Sequence, residues 1–331
     1  MEHRSLGRTG VQVSPLCLGC MNLGAKTPEE ESFDIIDAAL DRGINFLDTA
    51  NVYGRGISEE VVGKALKRNG KRDRIVLATK VHGRMADDDP NAWGNTRRHI
   101  IEQCDASLKR LQTDYIDLYQ VHRPQPATPI DETLRALDDL VRSGKVRYIG
   151  CSTFAAWQVL ESLWVSKELG LNRFVTEQPP YHLLDRRIER ELVPLAQGYG
   201  IGLIPWSPLS GGFLTGKYKR GETRPAGARW EKSGDGHFVD AAFDVVETLE
   251  AIGKEKGATA SQVAIAWCMS KPAITAPIIG PSSQAQNEDN LGALDVTLTE
   301  ADHERLDAVA EPGRCIVPYY RADFSPYQYR W

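Results

Sequence analysis

Ile35-Ile36-Asp37-Ala38-Ala39-Leu40-Asp41-Arg42-Gly43-Ile44-Asn45-Phe46-Leu47-Asp48-Thr49 changes its hydrophobic period at the glycine. Before Gly43, the apolar residues Ile35, Ile36, Ala39 and Leu40 recur at a spacing of about 3.6, which gathers them on one buried helix face. After it comes a short apolar run of strand type that ends in a carboxylate. Glycine at the junction suits the left-handed residue that closes a helix ahead of a strand. The pattern predicts a helix over 29–42 and a strand over 45–49.

The same unit recurs along the chain. Strand-like runs at 16–19, 75–80, 115–122, 146–150, 174–178, 202–206 and 275–280 join 45–49 to make eight. Amphipathic stretches lie between them at 58–67, 96–111, 131–143, 155–168 and 187–197, and Ser143-Gly144-Lys145 repeats the glycine stop. Eight βα units with short αβ turns predict an α/β fold of the closed (β/α)8 TIM-barrel kind rather than two open sheets. Leu6-Gly7-Arg8-Thr9-Gly10-Val11 reads as an N-terminal β-hairpin plugging the barrel's bottom. No shift of composition divides residues 1–331, so one barrel domain is expected. Two segments depart from the alternation. Residues 207–238, after the seventh strand, form a long Gly-rich loop carrying Lys217, Lys219, Arg220, Arg224 and Arg229, and loops of that length in a compact domain tend to be functional or mobile. The C-terminal tail from Pro312 carries Tyr319, Tyr320, Phe324, Tyr327, Tyr329 and Trp331 and is expected to dock, as a lid or between copies of the chain.

Composition narrows the function. With 41% hydrophobic and 26% charged residues, the 331-residue chain is a soluble globular protein. A net charge of -5 disfavours a nucleic-acid backbone as partner. No run approaches the roughly 18 apolar residues of a membrane helix, and the first residues lack the apolar centre of a signal peptide. Six scattered cysteines suit a reducing cytoplasm better than a disulfide framework. These features point to a cytoplasmic enzyme without membrane or nucleic-acid partners; homo-oligomerisation stays open.

In such a barrel the C-terminal ends of the strands face the active site. Read in order they supply Asp48, Lys80, His122, Ser152, Gln178 and Trp206, and the first loop adds Tyr53. Taken singly, Asp48 reads as a turn cap, Tyr53 as a loop tyrosine and Lys80 as a surface lysine. Their arrival at one rim is what suggests chemistry. A phenol, with a pKa near 10, donates a proton poorly at neutral pH. A nearby ammonium stabilises the phenolate, a carboxylate holds that ammonium charged and aimed, and an imidazole orients or polarises a carbonyl. The set suits proton delivery to a carbonyl oxygen while another agent supplies hydride.

Several longer motifs carry a resemblance. Gly43-Ile44-Asn45-Phe46-Leu47-Asp48-Thr49-Ala50-Asn51-Val52-Tyr53-Gly54 with Ser58-Glu59, Ala78-Thr79-Lys80, the run from Asp114 through Tyr119-Gln120-Val121-His122-Arg123-Pro124, and Ile204-Pro205-Trp206-Ser207-Pro208-Leu209 resemble the aldo-keto reductase superfamily. The likeness extends roughly from Arg4 to Leu294 and is greatest to the branch that includes bacterial reductases and the β-subunits of voltage-gated potassium channels. It implies NAD(P)H-dependent reduction of an aldehyde or ketone, with Tyr53 as general acid and Asp48, Lys80 and His122 completing a tetrad. It also implies nicotinamide cofactor binding without a Rossmann fold, and no G-x-G-x-x-G follows a strand. Ser152 and Gln178 would hold the carboxamide, Trp206 would stack on the ring, and Ser207, Leu209 and Lys217 would hold the pyrophosphate with Arg229 in the closing loop. The segment from Gly280 would grip the adenosine through Ser282, Gln286, Asp289 and Asn290. Gln286 stands where many members place an arginine for the 2′-phosphate, and a neutral amide loses that charge pairing; Ser282 and the basic loop compensate in this reading, so NADPH is the first choice and NADH stays open. Thr153 stands where the family often has Asn.

Other signals are weaker. Gly211-Gly212-Phe213-Leu214-Thr215-Gly216-Lys217 has P-loop spacing, but Tyr218 follows where magnesium requires Ser or Thr. Cys17-Leu18-Gly19-Cys20 has no second pair and no spaced histidines, and no metal is expected. His82 and Trp93, after the third strand, are candidates for the substrate pocket. The rivals to a reductase are a cofactor-binding regulator of a partner protein and an alcohol dehydrogenase working the same site in reverse.

Overall fold

Strands β3 (Cys17–Gly19), β4 (Phe46–Asp48), β5 (Val76–Val81), β6 (Ile116–Val121), β7 (Val146–Ser152), β8 (Phe174–Gln178), β9 (Gly202–Leu203) and β10 (Ile278–Ile279) run parallel in the computed structural model, which describes residues 1–318. Their spatial order is β10-β3-β4-β5-β6-β7-β8-β9, one strand after its sequence neighbour. The cylinder closes between β9 and β10 through single bridges, Leu203 to Ile274 and Trp206 to Ile278. Leu203 N donates to Ala273 O at 3.0 Å, and Ile278 N donates to Pro205 O at 2.8 Å. This is the (β/α)8 barrel expected. The runs predicted at 202–206 and 275–280 yield only short ladders because each contains a proline, Pro205 and Pro277, with no N–H to give.

Helices α1 (Glu29–Asp41), α2 (Ile57–Asn69), α3 (Arg97–Leu111), α4 (Ile130–Arg142) and α5 (Ala156–Leu169) follow their predicted spans closely. The sixth stretch divides into a 3-10 turn, Arg187–Glu189, and α6 (Leu192–Tyr199). Salt bridges from Arg187 to Asp185 and from Arg186 to Glu189 hold that turn apart from the helix. Helices α7 (Asp240–Lys256), α8 (Ala260–Ser270), α9 (Gln284–Leu291) and α10 (Glu300–Val309) complete the outer layer. In α8 the whole run Val263–Cys268 is buried, which erases the amphipathic period that betrays a surface helix.

Two cores result. One fills the space between strands and helices; the other lies inside the barrel and includes Phe46, Val76, Leu118, Ile204 and Ala276. The hairpin of β1 (Arg4–Ser5) and β2 (Gln12–Val13) adds Leu6 and Val13 to the inner core and closes the bottom, as predicted. Its tip needs glycine: Gly7 has φ +56°, and a Cβ there would lie 2.3 Å from Val175 O. The long loop over 207–238 is pinned by aromatic rings. Phe213 packs on Tyr218, Phe238 and Phe243 with centroids 5.4–5.6 Å apart. Residues 315–317 turn back along the β8 side, where Ile316 N and Val317 N both donate to Leu184 O. The aromatic segment 319–331 lies outside the described residues. Among the described residues no helix is long and apolar enough to cross a membrane.

Candidate active site

Parallel register sets the site's level. Gly19 pairs with Asp48 and Asp48 with Ala78, while Lys80 pairs with Gln120, so the inward positions of neighbouring strands step up toward the C-terminal rim. Asp48 closes β4, Lys80 lies near the end of β5, and His122 follows β6 with its N–H given to Val81 O at 2.9 Å. Tyr53 opens a tight turn, Tyr53–Gly56, whose next three residues all have positive φ. That turn folds the phenol back over the barrel mouth.

The four side chains meet. Lys80 is fully buried; its Nζ donates to Asp48 Oδ2, to Thr49 O at 2.9 Å and to Tyr53 OH at 3.4 Å. Burial works against the Lys80 charge, but Asp48 and the Tyr53 oxygen outweigh it and hold the ammonium above the ordinary lysine range. The Tyr53 and His122 rings meet edge to face, centroids 5.6 Å apart. Burial first, and then the charges of Lys80, Arg123 and His82, push the His122 imidazole well below its ordinary value. Both causes favour the neutral imidazole. Ser58 and Glu59, which share a motif with Tyr53, do structural work instead. Ser58 Oγ donates to Cys20 O at 2.7 Å, and Glu59 accepts from Thr79 Oγ1 and from Arg110 Nε, tying α2 to β5 and α3.

Above this group lies a cavity of about 960 Å³, running from Tyr53 and His122 to α9. Asp48, Ser152, Gln178, Trp206, Ser207 and Leu209 line its inner part. Lys217 and Arg229 line the loop side, and Gly280, Ser282, Gln286, Asp289 and Asn290 line the far end. His82 and Trp93 do not line it. They stand beside each other outside, ring centroids 5.9 Å apart, with His82 Nδ1 2.9 Å from Asn95 Oδ1. The thiols of Cys17 and Cys20 are buried, unbridged and pushed up by burial, which makes them poor nucleophiles.

A family model described as "Aldo/keto reductase family" matches residues 15–311. The chain belongs to the aldo/keto reductase family. Among its relatives, the uncharacterized oxidoreductase YrpG of Bacillus subtilis is 42% identical over 310 residues, covering 90% of this chain and 92% of its own. A probable voltage-gated potassium channel subunit beta of Arabidopsis thaliana is 38% identical, covering 89% and 92%. Versiconal hemiacetal acetate reductase of Aspergillus parasiticus is 36% identical, covering 93% and 96%.

The cavity of this aldo/keto reductase has donors suited to an elongated anionic ligand. The Lys217 side chain is exposed at the cavity rim, and partial desolvation together with Lys26 and Arg229 depresses its pKa, so three cations converge on one stretch. Gly212 (φ +89°) leaves room for the Lys217 side chain, since a Cβ there would lie 2.8 Å from Lys217 Nζ. At the far end Gln286 Oε1 accepts from Ser282 N at 2.9 Å and from its Oγ at 3.0 Å, leaving Nε2 as the donor Gln286 can offer. Asp289 accepts from Thr259 Oγ1 at 2.8 Å, joining α9 to the N-cap of α8.

Sequence reasoning passed over Gln120 beneath the cavity, and over Arg123, Lys26 and Trp230, which line it. Gln120 was within reach, because period-2 alternation puts Leu118, Gln120 and His122 on one face. Arg123, which donates to Thr153 Oγ1 and His122 O, follows the histidine directly. Lys26 and Trp230 come from separate loops with no motif around them.

Proposed function

We propose that this aldo/keto reductase uses NAD(P)H, with NADPH as first choice, to reduce an aldehyde or ketone, and that Tyr53 is the general acid. The observation that carries the reading is the Lys80 ammonium, anchored by Asp48 and within 3.4 Å of the Tyr53 hydroxyl beneath an open cavity. Ser152 and Gln178 suit the carboxamide, Trp206 the ring face, Ser207, Leu209, Lys217 and Arg229 the pyrophosphate, and Gly280, Ser282, Gln286, Asp289 and Asn290 the adenosine end. Bound there, the reduced nicotinamide supplies the hydride that becomes the new C–H bond. The rest falls to the chain. Neutral His122 offers an N–H to the substrate oxygen and holds it at Tyr53. Tyr53 releases its proton to that oxygen as negative charge develops there, and the nearby ammonium of Lys80 stabilises the phenolate left behind. Asp48 keeps Lys80 aimed. The same groups accept a proton in the reverse, alcohol-oxidising direction.

Lack of an arginine at position 286 leaves any 2′-phosphate to Ser282 and the Gln286 amide, so discrimination against NADH is expected to be modest. Titration of NADPH against NADH by tryptophan fluorescence, followed by turnover with an activated aromatic aldehyde, tests the reading. Tyr53→Phe should lower kcat by about 10²- to 10⁴-fold while cofactor affinity stays within about twofold. Full activity in that variant would overturn the assignment. The relatives named as potassium channel β-subunits favour a second reading, a cofactor-loaded regulator of a partner protein. Tight cofactor binding without turnover across a broad carbonyl panel would decide for it.

A further inference from the structure

Gln120 has no role in the reaction as written, yet it lies fully buried in β6 between Asp48 and Gln178. Gln120 Nε2 donates to Asp48 Oδ1 at 3.0 Å. Gln178 Nε2 donates to the same oxygen at 3.0 Å and to Gln120 Oε1 at 3.3 Å. The orientation of both amides is forced, because a carboxylate accepts and has nothing to donate. Each amide must turn its nitrogen toward Asp48. Gln120 then aims its oxygen at the second N–H of Gln178. With both hydrogens engaged, Gln178 offers the cavity an acceptor and no donor. The barrel leaves room for this arrangement: Gly150 pairs with Gln120 across the β6–β7 ladder, and a Cβ there would lie 3.3 Å from Gln120 Cγ and 2.3 Å from Thr176 Oγ1.

We propose that Gln120 is a positioning residue that fixes the polarity of the Gln178 amide, so that this end of the cavity selects a ligand bearing an N–H donor. The inference rests on the nicotinamide reading above, whose carboxamide supplies that N–H. It also makes the carboxamide contact and the Asp48–Lys80 pair one hydrogen-bonded unit. Replacing Gln120 by methionine keeps much of the volume but removes the acceptor, freeing the second N–H of Gln178 to turn to the cavity.

Fluorescence titration of NADPH and of its reduced 3-acetylpyridine analogue, in which a methyl group replaces the amide nitrogen, reads this directly. The unaltered chain should favour NADPH by about three- to tenfold, the worth of one hydrogen bond. Gln120→Met should bring the ratio to about twofold or less by the same reasoning. Gln120→Glu keeps an oxygen for Gln178 and shares a proton with Asp48, so it should hold the original ratio; this variant carries the test should the methionine one fail to fold. An unchanged ratio in folded Gln120→Met, or a ratio lost in Gln120→Glu, overturns the proposal and leaves the nicotinamide reading standing. An unaltered chain that binds neither nucleotide overturns that reading, and the proposal with it.

Discussion

Lys80 and Asp48 carry opposite charges at almost no exposure, 0% and 3% of their side-chain surfaces. Breaking such a pair leaves a buried charge unmatched, which typically costs about 3–5 kcal/mol. Lys80→Met should lose about that much by urea denaturation, and adding Asp48→Asn should recover part of it, because both charges are then gone while an oxygen stays for the Gln120 and Gln178 amides. A loss in the single variant that the double variant deepens would mean the pair acts through packing. Lys217→Ala tests the other end of the cavity and should raise the cofactor Kd about tenfold, the loss of one charge-assisted contact, at unchanged kcat. Residues of this kind were legible from the sequence wherever strand ends announced them, as for Asp48, Lys80 and His122. Gln120 was less legible, because an amide inside a strand looks like any polar residue until its partners are known. Lys26 gave no signal, since its meeting with Lys217 depends on how two distant loops fold.

Elements are tied to one another by single side chains and single glycines. The hairpin seats on the barrel because Gly7 approaches Val175 O and Gly202 N more closely than any Cβ permits. Gly70, which ends α2 at φ +65°, has the same handedness but open space around it. Gly70→Ala should therefore cost about 1 kcal/mol, the left-handed backbone penalty alone. Gly7→Ala should cost at least twice as much, about 2 kcal/mol or more, since a clash is added to that penalty. Equal losses in chemical denaturation would mean that the hairpin yields rather than plugs. Helices of amphipathic period could be read closely from sequence. The α6 start could not, because its boundary depends on the ion pairs of Arg186 and Arg187. Nor did periodicity reveal how the 207–238 loop is held, since the rings that pin it come together only in three dimensions.

For the molecule as a whole, the buried histidines should make acid destabilising, while the Glu177 carboxyl, pushed well up by burial, acts in the opposite sense. Burial drives His182 down to about 4 and His122 well below its ordinary value of 6.5. Between those values the unfolded chain binds protons that the native chain refuses, so stability rises with pH through the window and falls as acid is added. The urea midpoint should drop from pH 7 to pH 4.5, and His182→Gln should flatten that slope; an unaltered slope would assign it to other groups. The sheet itself is uneven. Strands β5 to β8 are joined by ladders of four or five residue pairs, with one register shift between Ile149 and Gly150, whereas β9 and β10 meet through two bridges across Pro205 and Pro277. Amide hydrogen exchange should find this joint first, with Leu203, Thr275 and Ile278 exchanging ahead of the β6 amides. The cavity wall includes Trp206 on one side of the joint and Ile278 and Gly280 on the other. The nucleotide proposed to lie there would touch both edges, a rivet across the split stave of a cask, and exchange protection on binding should concentrate at that joint.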